Sequence, residues 1–200
     1  MEGILYHDNH LVAYAKPPGL ASQPAEDGAD SAESRVKGWV KDHYKKPGNV
    51  FLQAVHRLDR PASGILIFAR NSKALSRLQA AFRERRSRKT YWVLTLKAPA
   101  EIEGVLENHL RHEEHFARVV EPGDRGAQAA RLRYHFRERQ GGICWMEVEL
   151  DTGRYHQIRA QFAAIGCPLI GDARYGGTAH ANFHSDAIGL HHAKLLLPHP

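Results

Sequence analysis

Two hundred residues, 42% hydrophobic and 25% charged, suffice for one well-buried core and describe an ordinary globular chain, which excludes disordered and fibrous classes. No apolar run approaches the ~20 residues of a membrane span, and the N-terminal "MEGILYHDNHLVAYAKPPG" lacks the basic, apolar and small-residue regions of an export signal, so a cytoplasmic protein is expected. Lys plus Arg number 28 against 22 Asp plus Glu, a formal charge of +6 that favours a polyanionic partner over a membrane.

In chain order, "KPPGLASQPAEDGAD" (residues 16–30) is rich in Pro, Gly and small residues and predicts an extended loop. The following "DSAESRVKGWVKDHYKK" predicts a helix with Asp30 as N-cap, Glu33 three residues on, and Val36, Trp39, Val40 and Tyr44 at helical spacing. Arg35, Lys37, Lys41, Lys45 and Lys46 form a basic series along it. "ILIFA" reads as a short buried strand, and Asn71 as the cap of a helix with Leu75, Leu78 and Phe82 on one stripe. That helix runs into "RERRSRK", where Arg83, Arg85, Arg86, Arg88 and Lys89 face only Glu84.

The period then changes to two. In "KTYWVLTLK", Tyr91, Val93 and Thr95 share one face; the same alternation returns at Leu132, Tyr134 and Phe136, and at Cys144, Met146, Val148 and Leu150. Helical spacing resumes through Ile158, Phe162 and Ile165, with Gly166 as the stop. Strands interrupted irregularly by helices predict an α+β class. Cys144 and Cys167 lie in separate apolar segments without CxxC spacing, which predicts buried free thiols. His180, His184, His191 and His192 read as surface or packing histidines, because their segment lacks the usual partners of a zinc site apart from Asp186.

The stretch "VHRLDRPASG" sets His56, Arg57, Asp59 and Arg60 just ahead of the buried "ILIFA". Charges at such a place cost free energy unless paired. Asp59 is therefore either part of an ion-paired turn or a reactive carboxylate, with Arg57, Arg60, Arg154 and Arg159 as candidate cations that would keep it ionised. Nothing matches a GxGxxG, GxxxxGK[ST], GxSxG or HExxH motif.

"HRLDRPASG" resembles the H-R-L-D-x-x-[ST]-S-G motif of the RluA-type family of RNA pseudouridine synthases. "KPPGL", "RKTYWVL", "TGRYHQIRAQFAAIGCPLIGDARYGG" and "GLHHAKLLLPHP" resemble further elements of that family, in its order. The resemblance covers nearly the whole chain, 1–200, and implies a single catalytic domain with room for two lobes. Its fold would be a central mixed, mostly antiparallel sheet flanked by helices, with the active-site cleft across the sheet. It implies catalytic roles for Asp59 as the essential carboxylate, Tyr91 as the ring on the target uracil, and Arg159 as the cation paired with Asp59. Leu169 and Ile170 would wall the pocket. The reaction breaks the N1–C1′ bond of uridine, turns the base and joins C5 to C1′; it involves no redox change, so no cofactor and no metal are expected. The carboxylate could attack C1′, attack C6, or remove the 2′ proton.

The target nucleotide must leave the helical stack. Arg57 or Arg60 is the candidate to enter the gap, and Arg83, Arg85, Arg86, Arg88 and Lys89 to hold phosphates of a transfer or ribosomal RNA. A monomer is expected. Departures from the family pattern are Ala62 in place of a hydroxyl residue, Cys167 in place of a histidine, and "LLLPHP" where the family continues into another strand; no N-terminal S4 domain is expected. The alternative reading is a catalytically silent RNA-binding protein or RNA chaperone of the same fold. A magnesium nuclease is disfavoured by the lack of a carboxylate cluster.

Overall fold

The computed structural model describes residues 2–25, 28–181 and 183–200. The chain divides into two compact units, residues 1–87 with 195–200, and residues 88–194. Ten strands and three α-helices among the described residues make the class α+β, as expected.

In the first unit, β1 (Ile4–His7) pairs antiparallel with β2 (Leu11–Lys16), and β2 with β4 (Ser63–Ala69); the two-residue β3 (Gln53–Ala54) pairs with β4 as well. The register sets Leu11 opposite Ala69 and Ala13 opposite Ile67, so these side chains share a face and pack with Ala74 and Leu78 of α2 (Ser72–Arg83). The Asn71 carboxamide caps α2 as expected, accepting from Ala74 N–H at 2.8 Å.

The first helix, α1 (Ala32–His43), starts one residue later than its sequence suggests. Its N-cap is Ser31, whose hydroxyl accepts from Ser34 N–H at 3.1 Å while the Ser31 backbone N–H donates to Ser34 Oγ at 2.9 Å. Asp30 is occupied elsewhere: it accepts from Nε and Nη2 of Arg35 at 2.8 and 2.5 Å. Glu33 likewise accepts from Ala54 N–H at 2.9 Å. The helix ends before Lys45 and Lys46, so the basic series outruns it. The loop expected over residues 16–30 holds no helix or strand beyond Lys16 among its described residues; its residues 26 and 27 lie outside them.

The second unit takes its strands in the spatial order β10, β5, β9, β8, β6, β7. β5 is Arg88–Thr95, β6 Glu103–Glu113, β7 Phe116–Val120, β8 Gln128–Gln140 and β9 Ile143–Leu150; β10 is Leu190–Leu196, of which the part up to Lys194 belongs here. The β5–β9, β9–β8, β8–β6 and β6–β7 pairs are antiparallel. Register brings Tyr91 opposite Val148 and Val148 opposite Tyr134, and Val93 opposite Met146, which turns the period-two pattern into one buried face. Against it lies α3 (Gln157–Ala164), whose Phe162 meets the Tyr134 ring edge-on at 5.9 Å and whose Ala160 packs with Leu110, Ala117 and Ala130. Gly166 stops α3 in the left-handed conformation, at φ 73°. Ile165, expected on the apolar stripe, is its exposed C-cap. Both cysteines are buried and free, as expected.

Candidate active site

Asp59 stands on the loop between β3 and β4, half-buried, with Arg57 and Arg60 exposed on either side. The loop is pinned mainly through its backbone, by the segment 16–22. Gly19 N–H donates to Arg60 O at 2.9 Å, and Arg60 Nε donates back to Gly19 O at 2.8 Å. Ser22 Oγ both donates to Leu58 O at 2.8 Å and accepts from Leu58 N–H at 3.0 Å. Ala62 N–H closes a turn onto Asp59 O at 3.0 Å. The Pro- and Gly-rich composition that reads as a loop is thus the template on which the carboxylate is set.

Lys16, at the end of β2, is 1% exposed. A lysine is almost never so buried without partners, and its ammonium has three: it donates to Leu20 O at 2.8 Å, Pro17 O at 2.9 Å and Arg60 O at 3.1 Å. Burial pushes its pKa down from 10.5 to about 8, and the negative charge of Asp59 opposes that fall. The lysine therefore brings positive charge into the electrostatic neighbourhood of Asp59. Its composition gave no sign of this.

In the second unit, Tyr91 is buried on β5 and stacks on His192 of β10, with ring centroids 4.5 Å apart and planes 16° apart. His191 stacks likewise on Trp92 at 5.6 Å. The packing role expected of these two histidines is observed. Arg159, on α3, is 4% exposed and forms a two-pronged ion pair with Asp172, itself 1% exposed: Nε to Oδ2 and Nη2 to Oδ1, both 2.7 Å. Its Nη1 lies 2.9 Å from His156 Nε2, and its guanidinium carbon 5.0 Å from the centre of the Tyr175 ring. Leu169 and Ile170 are fully buried; Leu169 bridges to Thr95, and Ile170 N–H donates to Leu94 O at 2.9 Å.

The basic run is heterogeneous. Arg83 and Arg85 are exposed; Arg86 is chelated by Glu84 at 2.8 and 2.9 Å, Arg88 reaches Glu149 at 3.3 Å, and Lys89 is half-buried with its pKa lowered by that burial. Among the described residues, no group of three or more His, Cys, Asp or Glu is placed to hold a metal ion, and no helix is long and apolar enough to cross a membrane.

These elements define an α+β chain that carries an aspartate on a loop pinned through its backbone and, in its second unit, a buried Arg–Asp ion pair. A family model described as RNA pseudouridylate synthase matches residues 10–164, and the chain belongs to that family. An uncharacterized RNA pseudouridine synthase of Synechocystis is 31% identical, covering 98% of this chain and 61% of its own length. The ribosomal large subunit pseudouridine synthase C of Vibrio cholerae is also 31% identical, over 98% and 61%. The solved structure of human RNA pseudouridylate synthase domain containing 4 shares the fold with a TM-score of 0.81 at 24% identity, covering 98% of this chain and 84% of that one. The chain thus spans about three fifths of the length of the curated relatives named here.

Proposed function

We propose that the chain is an RNA pseudouridine synthase that isomerises a specific uridine of a structured RNA, with Asp59 as its catalytic carboxylate. The observation that carries this reading is the family match over residues 10–164, the stretch that holds Asp59, Tyr91 and Arg159. Arg159 keeps Asp59 ionised and oriented, Tyr91 packs on the detached uracil, and Leu169 and Ile170 form the apolar wall. The pinned loop supports the role of Asp59, because a carboxylate that attacks or abstracts must be held near its target before the reaction begins.

A flipped uridine leaves a gap in the RNA stack. Arg57 fills it in this reading; the side chain of Arg60 is already tied to Gly19 O. Arg83, Arg85, Arg86, Arg88 and Lys89 contact phosphates. The name of the Vibrio cholerae relative makes ribosomal RNA the first substrate to test and transfer RNA the second. The protein acts as a monomer in the cytoplasm and uses no cofactor.

The test is incubation of the protein with RNA from cells that lack it, followed by mapping of pseudouridine at nucleotide resolution. New pseudouridine at one or a few defined positions is expected. RNA that is bound and left unmodified would overturn the reading in favour of a silent RNA-binding protein.

A further inference from the structure

His156 occupies the N-cap position of α3 and does not cap it: its side chain makes no cap hydrogen bond, and its backbone is left-handed at φ 50° and ψ 26°. That conformation is strained for a residue with a Cβ, at a position where Ser, Thr, Asp or Asn would serve the helix better. The imidazole is buried and directed at other groups. Its Nε2 lies 2.9 Å from Arg159 Nη1 and its Nδ1 lies 3.0 Å from the Tyr175 hydroxyl, which also accepts from Ala117 N–H at 2.6 Å. Tyr155 stacks on its ring at 3.9 Å.

The protonation state follows from donor arithmetic. A guanidinium has only N–H groups to offer and no acceptor, so the contact with Arg159 requires a lone pair on Nε2. The proton of a neutral ring then sits on Nδ1 and is donated to Tyr175. Charging the ring would break the Arg159 bond and set two cations 2.9 Å apart. Burial, then Arg159, Arg174 and His112, push the His156 pKa down to about 3 against the opposing pull of Asp172.

We propose that His156 and Tyr175 are positioning residues for Arg159. Asp172 takes two guanidinium donors, a neutral Nδ1-protonated His156 takes a third, and the plane of Arg159 is fixed for the catalytic carboxylate. The inference rests on the synthase reading given above, and it explains why a strained, non-capping histidine begins this helix.

The test joins 15N spectroscopy of histidine-labelled protein with single-turnover kinetics of His156→Ala, His156→Gln and Tyr175→Phe. The spectrum should show one histidine as a neutral Nδ1–H tautomer that does not titrate between about pH 5 and 8, and that signal should vanish in His156→Gln. His156→Ala should lose about 100-fold in turnover with RNA affinity unchanged, since a small misplacement of a catalytic group is enough for that. His156→Gln, whose amide oxygen again accepts from Arg159, should recover much of the loss. Tyr175→Phe keeps the ring over Arg159 and should slow turnover without unfolding, so it decides the matter if the alanine variant fails to fold. An active wild type with a titrating or Nε2-protonated His156, or with full turnover in these variants, overturns the inference alone. An inactive wild type overturns the synthase reading and this inference with it.

Discussion

Replacing Lys16 with methionine keeps an unbranched chain, one heavy atom shorter, and removes the ammonium that three carbonyls share. A hydrogen bond from a charged donor contributes about 1.5–3 kcal/mol net, and Lys16 donates to Leu20 O, Pro17 O and Arg60 O. The Pro17 and Arg60 bonds are only partly buried, so water can replace the ammonium there, whereas the Leu20 bond is buried. Relief of the desolvation that holds the Lys16 pKa near 8 offsets part of the loss. The balance is a destabilisation of about 2–4 kcal/mol. In urea, at a slope of about 2 kcal/mol per molar, that lowers the unfolding midpoint by roughly 1–2 M with the slope unchanged. Hydrogen exchange should quicken at the Gly19 and Ala62 amides, which hold the Asp59 loop. A midpoint within about 0.3 M of wild type, equal to less than 1 kcal/mol, would refute the reasoning that this ammonium holds the loop.

Three further outcomes are expected. Asp172→Asn leaves the buried Arg159 without its two-pronged carboxylate and should cost about 3 kcal/mol in urea unfolding, together with turnover. Because the folded pKa of Lys16 is depressed from 10.5 to about 8, the folded protein sheds this proton first as pH rises. The unfolded chain then binds the more protons between those values, so this group's contribution to stability rises with pH there. Turnover should instead fall as the charge near Asp59 is lost: the pH–rate profile should show an alkaline limb near pH 8 that Lys16→Met lacks. Reversing Arg85 and Arg86 to Glu should weaken RNA binding and flatten its salt dependence, read by titration at several salt concentrations; unchanged binding would remove the run from the RNA interface.

Where burial follows a strict period, the chain declares its fold. β5, β8 and β9 alternate because one face packs on a core, and Asn71 marks α2 because its carboxamide oxygen caps the helix while its NH2 donates to Asn9 O. β6 escaped because only Leu110 of its eleven residues is buried, so its pairing with β8 rests on backbone bonds and leaves little hydrophobic signal. β2 escaped for the opposite reason: it is buried almost throughout and has no alternation to read. At the α1 start, Asp30 and Ser31 are both capping types, and contacts with Arg35 and Ser34 decide between them.

The candidate site divides in the same way. Asp59, Tyr91 and Arg159 stand in motifs that resemble a known family. Lys16, His156, Asp172 and Tyr175 lie in motifs quoted from the sequence, yet what they do depends on partners as far as 44 residues away, and spacing does not encode such contacts. The signal that could have found Lys16 is a lysine closing an otherwise apolar strand ahead of a Pro–Gly turn.

If Asp59 is the catalytic carboxylate, its substitution abolishes isomerisation while RNA binding persists. Release of tritium from RNA labelled at C5 of uracil, drawn from cells lacking the protein, tests it most directly when wild type and Asp59→Asn are compared in EDTA at equal RNA occupancy. Steady release by wild type and none by Asp59→Asn is the predicted result. Equal release by both, or none by either while both bind RNA, would contradict it.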